Sequence, residues 1–180
     1  MRRHAIAAIL GGGDRRSIGR SDGVKKLVLR QPERFTELIE CLWDKDPIVR
    51  MRAADAAEKV TVTRPELLNP HKQDLLGLLA EAQQIELRWH LAIMVPRLEL
   101  SRPETERAAT ALQRYLEDRS SIVKTFALQG LADLARQDSN LREPARRALE
   151  DSLRTGTAAM KARARTLLKE LKNSAPFGNR

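Results

Sequence analysis

The sequence repeats with a period of 37 residues, and that period dictates the architecture. Leu38, Leu75, Leu112 and Leu149 are each 37 residues apart, as are Leu42, Leu79, Leu116 and Leu153. Within each pair the spacing is i, i+4, which puts both side chains on one face of an α-helix, a turn apart. A unit of this length cannot bury its apolar face alone, so neighbouring units must stack into a solenoid with a shared core. Pro32, Pro70 and Pro103 fall near the starts of three of these helices, where a missing N–H costs nothing.

A second helix follows each first one. Its apolar positions recur as Ala53, Ala127 and Ala164, as Ala57, Leu131 and Leu168, and as Val60, Leu134 and Leu171. The second unit matches one residue late, at Leu91, Val95 and Leu98, which places one extra residue in its turn at Gln83-Gln84. In the first unit Asp46 can accept from free helical N–H groups, and Pro47 suits the first helical position. Pro96 is expected to end or kink its helix at Met94 or Val95, because an interior proline costs about 3 kcal/mol. The pattern predicts an all-α chain of about five helical hairpins. Residues 1–31 form a degenerate capping repeat, 32–172 four repeats, and 173–180 a disordered tail.

The run Asp46-Pro47-Ile48-Val49-Arg50-Met51-Arg52-Ala53-Ala54-Asp55-Ala56-Ala57 resembles the core of the HEAT repeat family, D-P-x-V-R-x-x-A-A-x-A. The basic residue recurs as Arg88, Lys124 and Lys161. The resemblance implies a right-handed alpha-alpha superhelix, a HEAT-like solenoid whose second helices line a concave face. It also implies that Arg50, Arg88 and Lys124 form a structural ladder between repeats, with Asp46 and Asp118 as acidic partners. HEAT-like repeats occur in bacterial glycosylases that act on alkylated DNA bases, where Trp89 and Asp55 are conceivable counterparts of aromatic and acidic groove residues without a motif match. They occur too in bilin lyase subunits of light-harvesting complexes, but no residue here supports a chromophore role.

Composition removes other classes. A single cysteine, Cys41, allows no intramolecular disulfide, so nothing in the chain requires an oxidising compartment. No stretch approaches the roughly 20 apolar residues of a membrane span. Met1 to Leu10 imitates a secretory start but offers only six apolar residues, fewer than a signal core needs. The expected location is the cytoplasm. His4, His71 and His90 are far apart and show no metal-ligand spacing. The reading is therefore a non-catalytic scaffold or adaptor without metal or cofactor, binding a protein partner through its concave face. The alternative is sequence-independent binding of a nucleic-acid backbone.

Counting outward from the core positions puts Met51, Arg52, Trp89, His90, Phe126 and Arg163 on that face as partner-binding candidates. Two clusters are candidates for anions. One is Arg15, Arg16 and Arg20 in the stretch Gly11 to Arg20, where glycines expose N–H groups ahead of a helix start. The other is Lys161, Arg165, Lys169 and Lys172, which line one side of the last helix at i, i+4, i+8 and i+11. The net charge of +9 is uneven: residues 1–30 carry 8 basic and 2 acidic side chains, 31–140 carry 15 and 18, and 141–180 carry 10 and 4. A duplex along the inner curve would cross an acidic centre.

Overall fold

The computed structural model describes residues 5–12 and 17–173, and among them there are ten α-helices and no strand. They form five consecutive hairpins: α1 (Ala5–Leu10) with α2 (Ser21–Arg30), α3 (Phe35–Glu40) with α4 (Pro47–Thr61), α5 (Lys72–Glu81) with α6 (Ile85–Met94), α7 (Arg102–Tyr115) with α8 (Ser121–Gln137), and α9 (Arg142–Thr155) with α10 (Ala158–Asn173). The even-numbered helices pack in unbroken succession and make one layer. The odd-numbered helices make the other, with looser mutual contact; α3 packs on the 3-10 turn Pro65–His71 that precedes α5. Arg15, Arg16 and residues 174–180 lie outside the described residues, and Asn173, expected in the tail, is still helical.

The local signals act as their chemistry requires. The Asp46 carboxylate accepts from Ile48 N at 2.9 Å and starts α4. α7 opens on a capping pair in which Ser101 N donates to Glu104 Oε2 at 2.8 Å. α6 ends at Met94 and passes into a 3-10 turn through Pro96, as the proline dictates. Pro70 does not start α5 but lies inside the preceding 3-10 turn.

The periodic positions are the core. Leu38, Leu42, Leu75, Leu79, Leu112 and Leu149 are all buried, and so are Ala53, Leu91, Ala127 and Ala164. Leu116, Leu153, Leu168 and Leu171, from the last two units, are only partly buried. The last hairpin shares a small separate cluster of Leu128, Ala132, Leu149, Met160, Ala164 and Leu167 with α8. Gly130 lets α6 and α8 approach closely, since a Cβ there would lie 2.2 Å from the Ala92 carbonyl oxygen.

Candidate functional site

The even-numbered layer carries the polar and aromatic groups singled out by sequence, and the fold sorts them. Arg52, expected to face solvent, is 3% exposed. Its guanidinium lies beneath the glycine-rich segment and donates to Leu10 O at 2.7 Å, Gly12 O at 2.5 Å and Ser17 O at 3.1 Å. Three carbonyls therefore turn inward around a cation, which is the reverse of an anion-binding loop. Gly19 is needed twice over, with φ +55 and a Cβ position only 2.6 Å from Arg52 Cζ. Of the three arginines expected to hold an anion here, Arg20 is exposed.

His90, also expected at the surface, is 2% exposed. Its Nδ1 lies 2.6 Å from Glu86 O, while Nε2 has no hydrogen-bond partner and points toward Asp55 Oδ1 at 3.8 Å. Asp55 is the hub of this corner. Ser21 Oγ donates to its Oδ2 at 2.5 Å and Lys59 Nζ lies 2.8 Å away, itself shared with Asp22 at 2.7 Å. Burial pushes the Asp55 carboxyl up, but His90, Lys59 and Ser21 outweigh it and hold the acid well below the usual carboxylate range. The cluster ties the first hairpin to the second and third.

Beside it stands an aromatic stack. The half-buried Trp89 ring lies 5.0 Å from Phe126, centroid to centroid and inclined by 24°, and 3.4 Å from the His90 ring, inclined by 26°. The Arg163 guanidinium is 5.8 Å from the Phe126 centroid and donates to Gln129 Oε1 at 3.0 Å. Met51 is half-buried on the neighbouring α4. Trp89, Phe126 and Arg163 lie close together, whereas Arg52 and His90 are buried. Further along the same layer Arg97 pairs with Glu58 at 2.5 Å and bonds Thr61 Oγ1 at 2.9 Å, and Arg136 pairs with Asp133 and Glu170.

The ladder along the turns is present with changed partners. Arg50 reaches Gln84 Oε1 at 2.8 Å and Asp44 O at 2.7 Å, not Asp46, whose carboxylate is already committed to the helix start. Arg88 bonds Ala82 O at 2.6 Å and pairs with Asp118. Lys124 makes no ion pair among the described residues, because the position 37 residues beyond Asp118 is Thr155. In the basic stripe Arg165, Lys169 and Lys172 are exposed and Lys161 half-exposed. Cys41 is buried, donates to Glu37 O at 3.2 Å, and has its thiol pushed up to about 12, first by burial and then by Asp44, Glu37 and Glu40, so it is a poor nucleophile.

No described protein family and no curated protein matches the chain. Among solved structures, a chain from the complex of CpcE and CpcF of phycocyanin lyase of Nostoc sp. PCC7120 superposes with a TM-score of 0.65 at 17% identity, covering 91% of this chain and 95% of that one. The protein is a HEAT-like α-solenoid. At this identity the likeness establishes the fold of the solenoid and leaves its chemistry open. It also corrects the expectation that the chain is not an enzyme: the same architecture forms a lyase complex, so a stack of helical repeats without a recognisable catalytic motif is no ground for that exclusion. Among the described residues no helix of the solenoid is long and apolar enough to cross a membrane.

Proposed function

We propose that this HEAT-like solenoid is a protein-binding subunit that engages its partner along the even-numbered layer, the concave side of such folds. Trp89, Phe126 and Arg163 form the anchor. The observation that carries the reading is the aromatic stack itself. Two rings from successive repeats, half-buried and flanked by an arginine, form the kind of rigid, partly desolvated patch on which interface energy concentrates. The structural neighbour is part of a two-subunit complex, which agrees with a chain that works in company.

The same layer argues against a nucleic-acid backbone. Arg97, Arg136 and Lys59 are each held by acids of adjacent repeats, so the cations in the middle of this face are spent on the solenoid and acids stand beside them. Phosphate binding needs cations free to displace counterions.

Affinity purification from the cells that make the protein tests the proposal, with Phe126→Ala and Arg163→Glu compared with wild type and circular dichroism as the folding control. A partner recovered with wild type and lost with both variants supports it. Equal recovery with all three would remove the anchor from the interface.

A further inference from the structure

The opposite layer holds a feature that the anchor does not explain. Trp43, in the 3-10 turn after α3, is 49% exposed. It stands at the edge of a groove of about 570 Å³ between α3 and α5, where α3 rests on the 65–71 turn and leaves a gap. Ile39 and Leu78 give the groove apolar walls. Gly77 occupies the interior of α5 within it, and a Cβ there would meet nothing within 4 Å. A glycine in a helix interior is unfavourable relative to alanine, and packing inside this chain gives no reason for it, in contrast to Gly130. The open space there leaves room for another molecule to approach the backbone closely.

The rim is acidic. Glu40, Asp74 and Glu81 line it and no lysine or arginine does. Asp74 and Glu81 make no ion pair or side-chain hydrogen bond among the described residues, while Glu58, Glu104, Asp118, Asp133, Glu143 and Glu170 are all paired. His71, the one titratable base in the groove, accepts or donates with Thr36 Oγ1 at 3.3 Å, and burial lowers its pKa despite Asp74 and Glu40.

We infer that this outer groove docks a basic amphipathic segment of a partner protein, with an apolar side chain seated over Gly77 between Ile39 and Leu78 and a lysine or arginine laid across Trp43 toward Asp74 and Glu81. An exposed indole beside uncompensated carboxylates is the matched receptor for such a cation, through its ring face and its charge together. The surface is separate from the Trp89 anchor and stands or falls independently of it.

The test is fluorescence anisotropy with a labelled amphipathic helical peptide bearing leucine on one face and lysine and arginine on the other, beside a counterpart with glutamate at the basic positions. The full chain should bind the basic peptide, more weakly as salt rises, and not the acidic one. Gly77→Phe, which fills the groove from a position with room, and the pair Asp74→Lys, Glu81→Lys should each weaken binding by about tenfold or more. Gly77→Ala should raise the melting temperature. No binding of the basic peptide, or equal binding by wild type and Gly77→Phe, overturns the inference. So does sedimentation showing self-association that Gly77→Phe abolishes, since the occupant would then be a second copy.

Discussion

The two tryptophans sit on opposite layers of the solenoid and in opposite circumstances. Trp89 is half-buried and stacks with Phe126 and His90, on a face where Lys59, Arg88, Arg97 and Arg136 each meet an acid from another repeat. Trp43 is the most exposed aromatic ring of the described chain, at a groove where Asp74 and Glu81 make no ion pair among the described residues. The difference follows from spacing. The even-numbered helices pack in unbroken succession, whereas α3 has six residues and packs more on the turn before α5 than on α5 itself. A continuous layer satisfies its own polar groups. A gapped layer leaves them for something else.

The largest test of the closed layer is Arg52→Ala. Removing the guanidinium strands the carbonyls of Leu10, Gly12 and Ser17 and empties a buried charge site, which should cost about 4 kcal/mol in urea unfolding. Hydrogen exchange should show the first hairpin opening before the rest. If the loss stays under about 1 kcal/mol, the cation is not what holds the glycine-rich segment.

Next come the tryptophans themselves. Trp89→Ala should lower stability by about 3 kcal/mol, because it removes a packed ring between two repeats. Trp43→Ala should lower it by less than about 1 kcal/mol while abolishing binding of the basic peptide. Equal destabilisation by the two changes, measured by thermal melts, would erase the distinction between the layers.

Much of this was legible in the sequence, and the exceptions have a common cause. The leucine column and the Asp46-Pro47 start report local helix geometry, so they predicted which faces meet. The sequence placed Trp89 and Phe126 on successive repeats of one face, but their stacking on each other was not read from it. Arg52 and His90 were misplaced because the partners that make burial tolerable lie far along the chain: the Leu10 carbonyl is 42 residues from Arg52, and Asp55 is 35 from His90. A charged residue on a helix face reads as exposed unless those partners are known. Trp43 carried no signal at all, because its exposure depends on a gap between helices that neither helix encodes alone.

The Asp55 cluster adds a pH test. A carboxyl held below its unfolded value of about 3.9 contributes stability that is fully present above that pH and lost as pH falls through the folded value. Acid unfolding of wild type should therefore steepen below about pH 4. Asp55→Asn should be less stable at neutral pH and flatter across the acid limb, and His90→Gln should share part of that change. Identical acid limbs in wild type and Asp55→Asn would show that the cluster does not bind the first hairpin to its neighbours.

The smallest effect is expected where the closed pattern lapses. Arg88 spans from its own turn to Asp118 of the next, so Arg88→Ala leaves a nearly buried carboxylate without its cation. Lys124 is the same rung one repeat later, but Thr155 stands where the acid would be, and the lysine only borders an open cleft. Lys124→Ala should thus change stability by no more than about 0.5 kcal/mol, against about 3 kcal/mol for Arg88→Ala. Measured together in denaturant melts, the pair asks whether an ionic rung stabilises the solenoid by being basic or by being paired. Comparable losses would favour the first answer, and the description of the even layer as closed by its own partners would have to be abandoned.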